Sequence, residues 1–165
     1  MAPSVGNSRP WRILRVENPE LRRQIQAIFE GCNLDAGAQF DDVTRAEYVR
    51  LKLAGLREAP VHLAVFTETA PVEGRGLGRA TMPQTLQFST VMAIHTLWLA
   101  ARAANIRVGW VSILDPAAVH ALFAVPQSWE FTAYLCVGYA KFSDDQPLLH
   151  RAEWQRDTPT RWLEV

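Results

Sequence analysis

Hydrophobic and polar positions alternate with a period of two over residues 11–16 (WRILRV), the pattern of a strand with one buried face. Asn18-Pro19 then supplies a helix cap followed by proline in the first turn. The helix predicted after it carries Leu21, Ile25, Ile28 and Phe29 on one face and stops at Gly31. A polar, irregular stretch (32–42) leads to a second predicted helix over 44–56, which Pro60 closes off. Residues 61–67 (VHLAVFT) suit a buried strand. Pro71, Gly74, Gly76 and Gly78 mark 68–83 as a loop. From 84 to 105 the pattern is helical and apolar on nearly every side, which predicts a helix buried all round, in a domain centre or at a subunit interface. A strand over 108–113, a helix capped by Asp115-Pro116 and running through Phe123, and a strand over 131–139 complete the pattern. The tail, 144–165, is polar but carries Trp154 and Trp162. The order β-α-α-β-α-β-α-β predicts one α+β or α/β sandwich domain over 1–165, with a central helix.

Composition narrows the function classes. Hydrophobic residues make up 48% of the 165, and six Trp and seven Phe provide area for a sizeable core. The formal net charge is zero, so no clustered basic excess points to nucleic acid. The longest apolar run, 91–104, is broken by His95 and Arg102 and is too short and polar to cross a bilayer. No basic n-region and apolar h-region open the chain, and Cys32 and Cys136 show no paired or metal-ligand spacing. A cytoplasmic protein with two free thiols is the expectation.

The residue chemistry alone is spare. Residues 74–78 (GRGLG) invite an anion, because glycines let backbone N–H groups approach one; yet the spacing fits neither phosphate-loop fingerprint, and a flexible loop is the simpler reading. Arg79 beside it suits a phosphate or a carboxylate. His62, His95, His120 and His150 share no zinc-binding spacing, and no nucleophile elbow is present.

Three stretches carry a resemblance. Residues 2–11 (APSVGNSRPW) resemble the flavin loop of the FMN-dependent nitroreductase superfamily. Residues 51–60 (LKLAGLREAP), and the longer match from 89–103 to Val108-Gly109-Trp110-Val111-Ser112-Ile113, are similar to its 5,6-dimethylbenzimidazole synthase branch. Gly78-Arg79 and residues 134–139 (YLCVGY) fit in order and spacing. The resemblance implies a nitroreductase-like α/β/α sandwich with a central apolar helix, paired as a homodimer with FMN between the subunits. It implies that reduced FMN is the substrate, that O2 fragments it to 5,6-dimethylbenzimidazole, the lower ligand of vitamin B12, and that a separate flavin reductase supplies the electrons. It implies flavin contacts from Pro3, Ser4, Asn7, Arg9, Leu77, Gly78, Arg79, Trp110, Val111, Ser112 and Arg156, with Ser112 acting at the reacting ring.

The departures from the branch are specific. Its N-terminal helix with an Arg-Arg-Asp-x-Arg motif has no counterpart in these 165 residues, so the domain is expected to be incomplete at its N-terminus. A methionine of its lid corresponds to Gln39, and its Phe-Met-Gln to Asn7-Ser8-Arg9. Its Trp-x-x-Arg becomes Trp154-Gln155-Arg156-Asp157, which leaves Arg156 as the phosphate partner one position early and Asp157 repelling it. Two alternatives stay open beside the synthase: a generic NAD(P)H-dependent nitro or quinone reductase holding FMN, and a non-catalytic flavin-binding remnant.

Overall fold

The computed structural model describes residues 1–51, 55–140 and 146–163. Its frame is a four-stranded antiparallel sheet of order β1-β2-β4-β3, made of β1 (Trp11–Arg15), β2 (Val61–Glu68), β3 (Ile106–Val111) and β4 (Trp129–Tyr139). Phe66, Tyr134, Cys136 and Val111 point to one face, where they meet Ile25 of α1 (Pro19–Gly37), Leu56 of α3 (Gly55–Glu58) and Val119 of α5 (Pro116–Phe123). Val65, Ala133, Leu135 and Val108 point to the other, against Ile94 and Ala101 of α4 (Thr85–Ala103). Strand side chains alternate, so β2, β3 and β4 feed both cores, and the result is the expected α/β/α sandwich.

The caps form where short polar side chains precede the helices. Asn18 Oδ1 accepts from the Glu20 amide at 2.8 Å, and Asp115 Oδ1 from the Ala117 amide at 2.8 Å. Several boundaries differ from the sequence pattern; β3 and β4 each begin two residues early, at Ile106 and Trp129. α1 does not stop at Gly31 but runs to Gly37, so 32–37 are helical rather than irregular. A Cβ at Gly31 would meet nothing within 4 Å. Glycine there costs only about 1 kcal/mol of propensity, and the added turns are held by Tyr48, whose hydroxyl donates to Asn33 Oδ1 at 2.6 Å. The single helix over 44–56 is instead α2 (Asp42–Arg50), capped by Asp41 and ended by an extended Leu51, followed by the short α3; residues 52–54 lie outside the described residues. Finally, β3 ends at Val111, leaving Ser112 beyond the strand.

α4 overturns one expectation and retains its alternative. It is not in a domain centre, because Phe88 is 50% and Leu99 58% exposed, with Met92 and Trp98 partly open beside them. One face of the helix covers the sheet; the other is an apolar stripe on the surface of this chain.

Candidate functional site

The opening segment is a pinned loop. Ser4 Oγ accepts from the Arg9 amide at 3.1 Å, Ser8 Oγ donates to the Val5 carbonyl at 2.7 Å, and the Val5 amide donates to Ser89 Oγ of α4 at 3.0 Å. Pro10 ends the loop by accepting from the Glu68 amide at 2.8 Å. Asn7 and Arg9 take left-handed backbone, with φ of 56° and 46°. Such conformations cost about 1–3 kcal/mol in non-glycine residues and persist where surrounding contacts hold them. Here Ser4 holds the Asn7 and Arg9 amides, and residues 74–78 pack against Val5, Gly6 and Ser8.

The two loops interlock through glycine. A Cβ on Gly74 would lie 2.8 Å from the Gly6 carbonyl oxygen, and one on Gly6 3.0 Å from that of Leu77. Gly78 leaves room for the Val5 side chain, which a Cβ would approach to 3.0 Å. The glycines thus serve close backbone approach and positive φ, not simple looseness. Between the loops opens a cleft of about 750 Å³, lined by Asn7, Ser8, Arg9, Glu73, Arg75 and Leu77. Arg79 extends from the same loop; its Nη2 donates to the Pro71 carbonyl at 2.8 Å. Its Nη1 is buried and has no hydrogen-bond partner among the described residues. A buried guanidinium nitrogen left unpaired is costly, and an acceptor from outside the chain would relieve it.

The remaining candidates lie elsewhere. Trp110 packs at the edge of the α4-side core, Val111 is buried on the opposite face, and Ser112 is exposed just past the end of β3. β1 and β3 are the two edges of the sheet, separated by three strand spacings of about 4.8 Å, roughly 14 Å in all. The registers send the opening loop and Ser112 to the same end of the sheet but to its opposite edges. One chain therefore brings Asn7, Arg9 and Leu77 to one cleft, with Ser4 bonded to the Arg9 amide, Gly78 against Val5 and exposed Pro3 preceding them; Arg79 follows in the chain but bonds to Pro71, and Trp110, Val111 and Ser112 lie apart. Arg156 lies in the tail, after Trp154, which packs on Phe40 and Tyr48.

Sequence patterns also missed some site residues. Arg75, with φ of 49°, faces the cleft beside Arg9; its place between two glycines was the available signal. Thr67 Oγ1 lies 2.8 Å from Thr90 Oγ1 and 2.7 Å from Thr132 Oγ1, joining β2, α4 and β4, and nothing in the spacing of three threonines announces that. A second pocket, of about 220 Å³, lies between β1 and α4 and is lined by Trp11, Ile13, Thr90, Ile94 and Leu97 among others. Among the described residues there is no group of three metal-ligating side chains, and no helix long and apolar enough to cross a membrane.

Comparison with known proteins assigns the lineage. The Nitroreductase family profile matches residues 1–139. A 5,6-dimethylbenzimidazole synthase of Rhodobacter capsulatus is 55% identical over 162 residues, 98% of this chain and 78% of that protein. Another, from Rhodospirillum rubrum, is 52% identical over 159 residues, covering 96% of this chain and 75% of its own length. Among solved structures, iodotyrosine deiodinase bound to FMN and 3-iodo-L-tyrosine superposes with a TM-score of 0.73 at 22% identity, covering 99% of this chain and 82% of that one. A nitroreductase-like protein of Streptococcus mutans does so with a TM-score of 0.64 at 14% identity, covering 96% and 81%. The structural likenesses speak for the fold alone. With the profile spanning both interlocked loops and all four strands, this chain belongs to the nitroreductase family.

Proposed function

We propose that this protein is a 5,6-dimethylbenzimidazole synthase, a flavin-dependent oxidoreductase that converts reduced FMN and O2 into the lower ligand of vitamin B12. The observation that carries the reading is the 55% identity to a synthase over 98% of the chain. The residues present fit a flavin. A cleft of about 750 Å³ is in the size range of small-ligand sites. It carries Arg9 and Arg75, and Arg79, whose buried Nη1 has no hydrogen-bond partner among the described residues, follows the loop that forms its wall. Reduced FMN, when bound, supplies both the electrons that O2 takes up and the ring that is fragmented.

The chain's own groups bind and orient. The left-handed turns at Asn7 and Arg9 place both residues at the cleft, so their backbone is ordered before binding, which lowers the ordering cost. Arg79 offers a buried donor to a carbonyl or phosphate oxygen, and charge-assisted bonds of that kind are the strong ones. Arg156 supplies a phosphate contact from the tail. Ser112, exposed and at the end of a strand fixed by β4, holds a hydroxyl that both donates and accepts at the reacting ring.

Ser112 reaches the flavin from a second copy of the chain. The separation of roughly 14 Å between sheet edges and the apolar outer face of α4 support a two-fold dimer, with each site built from the loop cleft of one subunit and the Trp110–Ser112 strand end of the other. A separate flavin reductase delivers the reduced substrate.

The test is direct. Purified protein incubated with FMN, NADH, a flavin reductase and air is expected to release 5,6-dimethylbenzimidazole, detected by chromatography with mass spectrometry. Direct bleaching of tightly held FMN by NAD(P)H without the added reductase, and no benzimidazole, would favour the generic reductase instead.

A further inference from the structure

Arg9 holds a conformation that its own sequence disfavours. Its φ of 46° is left-handed, a region that suits glycine far better than a long side chain. Pro10 follows it, and a proline ring pushes the residue before it towards extended backbone at negative φ. Local preference would therefore turn residue 9 another way, yet in the fold it lines the cleft. Contacts from elsewhere in the chain must hold it there.

The hold acts on both sides of the residue. On the amide side, Ser4 Oγ accepts from the Arg9 N–H at 3.1 Å. On the carbonyl side, Arg12 Nη1 donates to the Arg9 oxygen at 3.2 Å and to that of Trp11 at 3.3 Å. Arg12 is half-buried, the second residue of β1, and is paired with Phe66 of β2. Its guanidinium carbon lies 5.9 Å from the centre of the Trp129 ring on β4, within reach of cation–π attraction. Trp129 packs in turn on Phe66, with centroids 6.1 Å apart, so the platform under Arg12 is part of the sheet core. Glu68, paired with Trp129 across the ladder, adds a negative charge nearby. Burial raises the Glu68 pKa, but bonds from the Ala70 amide and from Ser128 and Trp129, with the charge of Arg12, bring it below the usual carboxylate value.

We infer that Arg12 is a positioning residue for the cleft: stacked on Trp129, it fixes the Arg9 carbonyl, locks residue 9 in left-handed backbone and so sets the Arg9 side chain at the flavin. The identity of the ligand rests on the synthase reading; the backbone lock does not. Arg12 lies outside the lining of the cleft, so its influence on binding passes through Arg9. That route has a signature. Arg75 lines the same cleft from the other loop, and a lock on residue 9 leaves its contribution untouched.

The experiment uses the full chain. Arg12→Met keeps the aliphatic stem and removes donor and charge, whereas Arg12→Lys keeps both. Each is made alone and combined with Arg9→Ala, Arg9→Gly or Arg75→Ala. Dissociation constants for FMN are measured by flavin fluorescence, and stability by urea unfolding without flavin. Arg12→Met is expected to weaken FMN about tenfold, and Arg12→Lys to recover most of the loss. Beside Arg9→Ala, Arg12→Met costs no further affinity, while beside Arg75→Ala the loss persists in full. In urea, Arg12→Met lowers the wild-type midpoint more than that of Arg9→Gly, because glycine adopts left-handed backbone unaided. Unchanged FMN affinity in Arg12→Met overturns the inference. So does a loss as large beside Arg9→Ala as in the wild type, or an equal midpoint shift with and without Arg9→Gly. If the wild type holds no FMN, the synthase reading falls and the urea comparison alone decides the lock. Expected urea and FMN results without any benzimidazole likewise sink the synthase reading and leave the lock standing.

Discussion

At Gly74 the backbone has φ of +75°, and a Cβ would sit 2.8 Å from the Gly6 carbonyl oxygen. Both the conformation and the contact exclude a side chain, so Gly74→Ala is expected to destabilise the fold by about 1–3 kcal/mol and to push the two loops apart. Urea denaturation reads the first effect and flavin affinity the second; an alanine variant with wild-type stability and binding would refute the interlock. His62 poses a different question. It is buried on β2, with Nε2 3.1 Å from the Ala59 carbonyl and Nδ1 3.0 Å from the Tyr134 hydroxyl. A carbonyl only accepts, so Nε2 carries the proton and Nδ1 receives one from Tyr134. Burial first, and the nearby Arg22 guanidinium second, lower the His62 pKa, while burial raises that of Tyr134 and lifts Cys136 to about 11. A histidine held neutral in the fold but free to protonate when unfolded contributes stability that is whole above its unfolded pKa of about 6.5 and is lost as pH falls below it. The slope reaches at most about 1.4 kcal/mol per pH unit. Denaturation at pH 7.5 and 5.5 is expected to reveal that loss, and His62→Gln to shrink it.

Among the elements, α4 and α1 make the instructive contrast. The sequence of α4 is apolar on nearly every side, and that alone predicted a helix with more than one covered face. Only the packing reveals that the sheet takes Ile94 and Ala101, while Phe88, Met92, Trp98 and Leu99 stay outside. A surface stripe of that character is rare on a monomer and marks an interaction surface. In the proposed dimer, Leu99→Glu is expected to leave the chain folded by circular dichroism while shifting it to the monomer mass in light scattering. A variant that remains dimeric would place the interface elsewhere. α1 teaches the reverse lesson. Its cap at Asn18 and its buried Ile25 were legible from local pattern, but its end was not, since Gly31 reads as a stop. What carries the helix onward is Asn33 meeting Tyr48, fifteen residues away, and no window of local sequence contains that bond.

At the scale of the whole molecule, the candidate site is divided. Asn7 and Arg9 stand by one sheet edge and Ser112 by the other, and the proposed dimer is the arrangement that joins them in one site. Complementation tests the arrangement. Arg79→Ala and Ser112→Ala are each expected to be nearly inactive in benzimidazole formation. Unfolded and reassociated together, they form mixed dimers in which one of the two sites is intact, restoring roughly a quarter of wild-type activity for random pairing. No recovery from confirmed mixed dimers would mean that both residues must come from the same chain.

The sequence by itself determined what depends on near neighbours and composition. It dictated a strand from alternation at 11–16 and a buried strand at 61–67, caps from Asn18 and Asp115, an apolar helix over 84–105, and family membership from motifs such as residues 108–113. Tertiary structure decided what depends on distant partners. Glycines at 6, 74 and 78 became an interlock because two loops meet there, Arg79 acquired a buried unpaired nitrogen, and Trp154 found Phe40 more than a hundred residues earlier. The physical reason is one of range. Propensity, capping and amphipathic period act within a few residues, whereas close approach, desolvation and ring packing exist only once the chain has brought remote segments into contact.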